Sequence, residues 1–240
     1  MSRTVDTRRV DQKAKVDAVS RTADTRRVDQ NAPLVAVIDY GIGNLRSAQK
    51  AFQRAGADAR LTSDPGLIAE AAGVVLPGVG HFGSCIGQLR SSGMFDVTLD
   101  AVHSDRPFLG ICVGMQMLFE GSEEAPGVEG LGVIPGMSRL IPPGLPRPHM
   151  QWNRLDIERP ESHLLAGLDG EVWMYFVHSY AADTEPEYIV ATAEYGVDLT
   201  AMVQKGDKLW ATQFHPEKSG DRGRQFIANF VSEVSAGARV

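Results

Sequence analysis

The stretch PFLGICVGMQMLFE (107–120) decides both the fold class and the candidate chemistry of this chain. Its first six residues form a short apolar run typical of a buried strand, and Gly110 and Gly114 flank Cys112 in the order G-x-C-x-G. This is the form of a nucleophile elbow, a sharp strand-to-helix turn whose small flanking residues let the backbone pass without a Cβ clash. The predicted helix MQMLFE would favour the thiolate form of Cys112 through its N-terminus. A buried, inert cysteine at a glycine-rich turn would show the same pentapeptide, so the motif needs support from elsewhere.

Two similar apolar runs precede this stretch, LVAVID (34–39) and GVVLPG (73–78). The segments between the runs predict a helix from the cap residue Asn44 to Ala55, a strand near 57–62, a short helix near 66–72 and mixed helix up to about 104. Continuous apolar runs separated by helices are typical of a parallel sheet covered on both faces. Ligand sites in such sheets lie beyond the carboxyl ends of the strands.

The second half of the chain has a different pattern, with short β-rich segments joined by turns. These segments lie near 152–157, 171–178, 188–194, 199–204 and 208–214, and they predict antiparallel additions to the sheet. A last helix is predicted over roughly 219–235, and the Pro/Gly-rich stretch 135–148 is interpreted as a loop. The predicted fold class is therefore α/β, an open doubly wound mixed sheet of flavodoxin-like type with antiparallel additions in the C-terminal half.

Composition limits the possible classes of protein. The chain has 240 residues, 43% of them hydrophobic, which allows one sizeable core. It contains no run of about 18 apolar residues, so no membrane span is expected. Its net charge of −6 gives no support for nucleic-acid binding. The only two cysteines, Cys85 and Cys112, argue against a disulfide framework, and a cytoplasmic location is expected.

The N-terminal segment contains a repeat, RTVDTRRVDQ (3–12) and RTADTRRVDQ (21–30). The unit offers only isolated Val and Ala for burial, so residues 1–32 are predicted to be a disordered, dispensable tail before one domain over 33–240. The segment is rich in Arg, as transit peptides are, but its five Asp residues argue against that reading. A translation start placed upstream of the natural one is another interpretation.

The motif Gln213-Phe214-His215-Pro216-Glu217 follows the apolar segment LWAT and supports the elbow. Pro216 biases His215 towards an extended conformation, and side chains two residues apart in an extended chain point to the same side. A carboxylate beside an imidazole fixes its tautomer and leaves the other nitrogen for a thiol. A surface His-Pro-Glu turn is the plain interpretation of this motif alone. Together with the elbow, it predicts a Cys112–His215–Glu217 triad.

A triad of this kind needs donors for a developing oxyanion. The turn Pro77-Gly78-Val79-Gly80 follows an apolar strand, and the backbone N–H groups of Val79 and Gly80 can approach a ligand closely. With the N–H of Val113, the residue after the nucleophile, they form the predicted oxyanion hole. No G-x-x-x-x-G-K-[ST] motif occurs, so a nucleotide phosphate loop is not expected. No cofactor and no metal site is expected either.

The motifs GICVGMQ (110–116) and FHPE (214–217) resemble those of class I (triad) glutamine amidotransferases. The finer resemblance is to the glutaminase subunits of imidazole glycerol phosphate synthase, and it covers 34–235. It rests on DYGIGNL (39–45), LPGVG (76–80), GICVGMQMLFEGSEE (110–124), HMQWN (149–153), YFVHSY (175–180) and QFHPEKSG (213–220). Two departures from the pattern of these subunits are Gln151, where glycine is more usual, and His81 after PGVG.

The resemblance implies a reaction and a partner. Cys112 would attack the carboxamide of glutamine, and ammonia would pass to a separate (β/α)₈ cyclase subunit that makes imidazole glycerol phosphate and aminoimidazole carboxamide ribonucleotide in histidine biosynthesis. It also implies that Gln116 and Glu124 hold the α-amino and carboxylate ends of glutamine, in a pocket lined by the backbone of 178–180. The residues of that lining are His178, Ser179 and Tyr180, and those that would meet the cyclase are Trp152, Asn153, Tyr175 and Lys218. The PGVG peptide is expected to reorient before its N–H groups face the oxyanion, because glycines make such a flip cheap.

Other functions remain open at this point. The same residues fit a stand-alone cysteine hydrolase of γ-glutamyl or peptide bonds, which would need no partner, or the glutaminase of another biosynthetic amidotransferase. A non-catalytic interaction subunit on the same scaffold is disfavoured by the intact Cys112, His215 and Glu217. A flavodoxin-type binding module would require a flavin or nucleotide loop, which the sequence lacks.

Overall fold

The computed structural model describes residues 32–42 and 45–237. The predicted tail over 1–32 therefore lies, apart from Ala32, outside the described residues, and the same holds for the predicted helix cap Asn44.

The described residues form six α-helices and thirteen strands. The helices are α1 (Leu45–Arg54), α2 (Pro65–Glu70), α3 (Phe82–Ser91), α4 (Met94–His103), α5 (Val113–Gln116) and α6 (Gly220–Gly237). The strands of the N-terminal half are β1 (Leu34–Ile38), β2 (Asp58–Thr62), β3 (Gly73–Gly78), β4 (Phe108–Cys112), β5 (Gly121–Ser122) and β6 (Met137–Leu140). Those of the C-terminal half are β7 (His149–Arg154), β8 (Asp156–Ile157), β9 (Trp173–His178), β10 (Tyr180–Asp183), β11 (Ile189–Glu194), β12 (Asp198–Lys205) and β13 (Leu209–Thr212).

A mixed sheet of eight strands organises the molecule, in the order β2-β1-β3-β4-β13-β12-β11-β8. The first five strands run parallel to one another, and β12, β11 and β8 continue the sheet in antiparallel pairing. The predicted α/β class with a large mixed sheet is confirmed. Strands β3, β4 and β13 are buried along their whole length, which explains why their sequences are continuous apolar runs.

The structure modifies three expectations for individual segments. Segment 208–214 is not only an antiparallel addition, because β13 also pairs in parallel with β4 in the middle of the sheet. The stretch 135–148 is not all loop, because β6 lies within it and pairs with β10 and β5. The helix after Cys112 ends at Gln116 instead of running to Glu120, because the chain then turns into β5.

Aromatic side chains fill the core between the sheet and helices α1 and α6. Phe52 of α1 meets Phe230 of α6 edge to face, with ring centroids 5.7 Å apart, and Phe230 in turn meets Trp210 of β13. Such contacts bury large apolar areas and fix the helices on the sheet that carries the site. No helix within the described residues is both long and apolar enough to cross a lipid bilayer.

Strands β7 and β9 form a separate two-stranded antiparallel ribbon. Trp152 stands opposite Tyr175 across the ribbon, and Arg154 stands opposite Trp173. Directly paired residues share a face, so these side chains lie together on one side. That side is the exposed one: Trp152 is 48% exposed and Trp173 is 44% exposed.

Candidate active site

Cys112 lies at the carboxyl end of β4, in the centre of the large sheet. Its φ of +55° makes it the single non-glycine residue with positive φ among residues 32–42 and 45–237. A strained backbone of this kind is characteristic of a nucleophile elbow and costs about 1–3 kcal/mol. The surrounding structure must therefore hold the turn in place.

A glycine of helix α5 and a glycine of strand β3 supply that support. A Cβ added at Gly114 would overlap the carbonyl oxygen of Leu76 in β3, and one added at Gly78 would lie 2.6 Å from the backbone nitrogen of Gly114. Gly78 is also the register partner of Cys112. The elbow therefore packs backbone against backbone on β3, which only glycine permits at these positions.

His215 follows β13, and because β13 runs parallel to β4, both residues reach the same edge of the sheet. Nδ1 of His215 lies 2.8 Å from Oε1 of Glu217, and the exposed fractions of the two side chains are 2% and 8%. The carboxylate accepts the proton of Nδ1, which leaves Nε2 as the free nitrogen of the ring. Nε2 has no hydrogen-bond partner among the described residues, and His215 lines the same cavity as Cys112.

Opposing effects set the pKa of His215. Burial lowers it, but the neighbouring Cys112 sulfur and the Glu217 carboxylate raise it further, and the pKa of His215 rises to about 9. The imidazolium form is stabilised because it lies between two groups that carry or accept negative charge. The predicted triad residues are thus brought together, in the order thiol, imidazole and carboxylate.

An open cavity of about 430 Å³ lies over Cys112 and His215. The predicted residues that line it are Val79, Gly80, Cys112, Val113, Gln116, Glu124, His178, Ser179, Tyr180, His215 and Lys218. The cavity thus collects the nucleophile, the predicted oxyanion donors and the predicted pocket residues on one edge of the sheet. Glu217 lies behind His215 and does not line it.

Two of the predicted pocket residues are already engaged with protein atoms. Nε2 of Gln116 donates hydrogen bonds to the carbonyl of Tyr180 and to Oε1 of Gln213, each at 3.1 Å. Oε1 of Gln116 is the group left to accept a hydrogen bond from a ligand. Oε2 of Glu124 accepts from the backbone N–H of Phe82 at the start of α3, at 2.7 Å. Glu124 therefore caps a helix as well as lining the cavity.

The predicted oxyanion turn lies beside the nucleophile. Gly80 has φ of +93°, a conformation that favours glycine, and the buried thiol of Cys85 donates to the carbonyl of Val79 at 3.4 Å. Burial raises the pKa of the Cys85 thiol, which keeps it a donor. Val113 is the first residue of α5, where a backbone N–H has no acceptor within the helix.

The residues predicted to meet a partner lie around the exposed side of the β7–β9 ribbon. The rings of Trp152 and Tyr175 are 6.1 Å apart, and Nζ of Lys218 lies 5.9 Å from the centre of the Tyr175 ring. Asn153 differs from the other three because it is buried, and its amide donates to the carbonyl of Glu194. Its side chain is therefore placed to support the ribbon and not to form its surface.

Sequence reasoning missed two residues that hold the site. The amide of Gln213 reaches Sγ of Cys112, with Nε2 and sulfur 3.8 Å apart. The hydroxyl of Ser219 donates to the carbonyl of His215 and accepts from the backbone N–H of Tyr175, which ties the His-Pro-Glu turn to the ribbon. Both belong to QFHPEKSG, and their polar side chains beside an apolar strand were a usable signal.

The departures at positions 81 and 151 have local explanations. His81 is the N-cap of α3, and its Nδ1 accepts from the backbone N–H of Gly83 at 3.1 Å. Gln151 lies in β7 opposite Phe176 and is exposed, so the ribbon accommodates its side chain without a change of pairing.

Comparison with known proteins assigns this geometry to a family. Residues 36–234 match the glutamine amidotransferase class-I family. The chain belongs to the class I glutamine amidotransferase family. Two solved structures with low sequence identity share its fold: a glutamine amidotransferase with a TM-score of 0.66 at 21% identity, and PurLQS from Thermotoga maritima with a TM-score of 0.66 at 15% identity. Each comparison covers 84% of this chain and 98% of the other.

More similar relatives indicate a branch within the class I amidotransferases. Imidazole glycerol phosphate synthase subunit HisH of Methanothermobacter thermautotrophicus is 48% identical over 203 residues, which are 85% of this chain and 100% of the relative. The HisH subunit of Syntrophotalea carbinolica is 46% identical over 205 residues, which are 82% of this chain and 98% of the relative. This class I amidotransferase is therefore a member of the HisH branch.

Proposed function

We propose that this chain hydrolyses glutamine to glutamate and ammonia as the glutaminase subunit of imidazole glycerol phosphate synthase, with Cys112, His215 and Glu217 as its catalytic triad. The observation that carries the proposal is the meeting of Cys112 and His215 at the adjoining carboxyl ends of β4 and β13, over one cavity. Glu217 supports His215 from the buried side.

The first half of the reaction is acyl transfer. The Cys112 thiolate attacks the carboxamide carbon of glutamine, and the developing oxyanion is met by the N–H of Val113 and by the Val79–Gly80 turn once that turn faces it. Protonated His215 gives its proton from Nε2 to the leaving nitrogen, and the C–N bond breaks. Ammonia and a glutamyl thioester on Cys112 are the products of this half.

The second half is hydrolysis of the thioester. Neutral His215 takes a proton from water, which attacks the thioester carbon and releases glutamate with the thiolate restored. Glu217 holds Nδ1 throughout, so that Nε2 is the nitrogen that moves the proton. The Oε1 atom of Gln116 and the Glu124 carboxylate are acceptors suited to the α-ammonium group of the substrate.

The partner in this proposal is the (β/α)₈ cyclase subunit of the synthase, in a heterodimer. The ammonia released at Cys112 passes to that subunit, which forms imidazole glycerol phosphate and aminoimidazole carboxamide ribonucleotide. The exposed aromatic side of the β7–β9 ribbon, flanked by Lys218, has the aromatic and cationic character of an interface centre. We place the reaction in the cytoplasm, with neither nucleic acid nor membrane as a partner.

Substitution of Cys112 tests the proposal. In the complex with the cyclase, Cys112→Ala should abolish glutamine-dependent synthesis, by about 10⁴-fold or more, because the nucleophile is lost. Synthesis from added ammonium salt should remain, because the cyclase reaction does not need the thiol. Cys85→Ser is the matched control, because a hydroxyl can keep the donor bond to the carbonyl of Val79, and it should retain glutamine-dependent synthesis.

Two outcomes would contradict the proposal. Glutamine-dependent synthesis at the wild-type rate in Cys112→Ala would remove the nucleophile assignment. Glutamine turnover of about 1 s⁻¹ or faster by the chain alone, a normal enzyme rate, would favour a stand-alone hydrolase over a subunit.

A further inference from the structure

We propose that Gln213 is a further catalytic residue, whose side-chain amide donates a hydrogen bond to the Cys112 thiolate and stabilises it for attack. This inference rests on the proposed function, since it concerns the same nucleophile. Gln213 is fully buried, lies within reach of the reacting sulfur, and is not part of the predicted triad.

The parallel pairing of β4 and β13 sets the position of Gln213. Ile111 is the register partner of Thr212, so the next residue on each strand, Cys112 and Gln213, also come side by side. The backbone N–H of Gln213 donates to the carbonyl of Ala201 in β12, at 2.8 Å. Because its backbone is held in the sheet, Gln213 delivers its amide to Cys112 at a fixed place.

The orientation of the amide follows from a chain of donors and acceptors. The carbonyl of Tyr180 can only accept, so the atom of Gln116 beside it must be the donor Nε2. The same Nε2 faces Gln213, so the Gln213 atom that meets it must be the acceptor Oε1. The other end of the Gln213 amide, its NH₂ group, is thereby directed at the Cys112 sulfur.

The Tyr180 carbonyl is itself held by a second donor. Nδ1 of His178 lies 2.9 Å from it, and burial lowers the pKa of His178 to about 3, so this ring is neutral and donates from Nδ1. Nε2 of His178 then accepts from Nδ1 of His149, 3.0 Å away. A Gln213 amide turned the other way would place its NH₂ against the NH₂ of Gln116, which this chain of bonds forbids.

A donor of this kind has a specific chemical effect. The NH₂ group of an amide is uncharged. It can therefore stabilise the thiolate by hydrogen bonding without placing a buried cation beside it. A hydrogen bond to an ionised acceptor is stronger than one to a neutral acceptor, so the contact favours thiolate over thiol. Helix α5, with four residues, is too short to supply this stabilisation through its dipole alone.

The test is the pH dependence of Cys112 alkylation. The purified full chain is treated with iodoacetamide between pH 5 and 10, and carboxamidomethylation of Cys112 is followed by peptide mapping. In Gln213→Met, which removes the donor at similar side-chain volume, the midpoint of the rate profile should move up by about one pH unit, and the rate below the midpoint should fall about tenfold. The rate at high pH should not fall, because access to the sulfur is unchanged.

Gln204→Met is the matched control. Gln204 is also a buried glutamine of the sheet, but it bonds to Ser162 and to the carbonyl of Gly206, away from Cys112. Its substitution should leave the Cys112 profile unchanged. Gln213→Leu provides a second variant without a donor and should move the midpoint in the same direction.

Several outcomes would overturn the role of Gln213. One is an unmoved midpoint in a folded Gln213 variant, and another is an equal shift of the midpoint in Gln204→Met. A third is the absence of a cooperative thermal transition in both Gln213 variants, which would make Gln213 a packing residue. Alkylation requires no glutamine turnover, so this result is separate from the Cys112→Ala test of the proposed function. If the alkylation midpoint did not move in the Gln213 variants while Cys112→Ala was inactive with glutamine, the role of Gln213 would be rejected and the triad assignment would be retained.

Discussion

The elbow around Cys112 and the β7–β9 ribbon use apolar residues in opposite ways. At the elbow, Gly114 packs against Leu76 with no room for a side chain, and every residue of β4 is buried. On the ribbon, by contrast, the large apolar side chains Trp152 and Trp173 are almost half exposed. Both regions adjoin His215. Strand β4 of the elbow pairs with β13, which His215 follows, and Ser219 links the carbonyl of His215 to Tyr175 of the ribbon.

This difference separates two kinds of constraint. The elbow must resist change, because the strained conformation of Cys112 persists only if the surrounding packing determines it. The ribbon keeps apolar surface in water, which costs free energy in the isolated chain and is regained when a partner covers it. Changes at the elbow should therefore affect folding and catalysis, whereas changes on the ribbon should affect association.

Gly114→Ala should produce the largest effect on stability. The added Cβ would overlap the Leu76 carbonyl oxygen. Because that oxygen belongs to the backbone, the overlap can be relieved only if β3 moves away from the elbow that follows β4. We expect the free energy of unfolding to fall by about 3 kcal/mol or more, measured by urea denaturation.

Gly87→Ala is the matched control for that substitution. Gly87 also lies in a helix, and a Cβ there would meet no atom within 4 Å. The change should leave stability unchanged or raise it by up to about 1 kcal/mol. Equal losses in the two variants would show that the elbow is not the rigid region that the packing indicates.

The elbow was predictable because its constraints lie close together in sequence. The glycines around Cys112, the apolar run before it and the His-Pro-Glu motif are each readable within a few residues. The polar side chain of Gln213 beside an apolar strand was a signal, but its partner Cys112 could not be identified from sequence, because the contact depends on the register that pairs Ile111 with Thr212, about one hundred positions apart. Strands β5, β6 and β10 were missed for the same reason, since they are short and are defined by distant partners.

Glu217→Gln should have the next largest effect, on turnover and on the pH dependence of stability. The pKa of His215 is lowered by burial but raised more by Cys112 and Glu217, to about 9, so protonated His215 stabilises the fold fully below pH 6.5. That stabilisation is lost as the pH rises through about 9. Without the carboxylate, the pKa of His215 should fall, so the decline in unfolding free energy should be smaller and should end at a lower pH. Glutamine turnover at pH 7 should fall about 100-fold, because Gln does not stabilise the imidazolium.

The pair of His163 and Glu233 provides the control for Glu217→Gln. Its atoms are 3.1 Å apart, but His163 is 66% exposed, so solvent screens the interaction. Glu233→Gln should change neither turnover nor the pH profile of unfolding, measured by urea titrations between pH 6 and 10. A profile in Glu217→Gln that matches the wild type would show that the carboxylate does not support the imidazolium.

The ribbon was only partly predictable. Trp152 and Tyr175 were expected at a partner surface because of the family resemblance, but aromatic residues in a strand are equally typical of a core. The exposure of Trp152 follows from the pairing of β7 with β9, which places it beside the half-buried Tyr175 on the outer face of the ribbon. Asn153, expected on the same surface, is turned to the buried face by the alternation of side chains along β7.

Trp152→Ala should give the smallest effect of the three, and it should appear in association alone. Removing the indole from the exposed face should weaken binding of the cyclase subunit by about tenfold or more, measured by calorimetric titration, while the urea midpoint of the isolated chain stays the same. Val197→Ala is the matched control, because Val197 is 41% exposed but lies in the turn between β11 and β12, away from the ribbon. It should leave affinity and stability unchanged. If Trp152→Ala instead lowers the urea midpoint and leaves affinity intact, the open face of the ribbon belongs to the fold, and the division between a rigid elbow and a partner-binding ribbon is wrong.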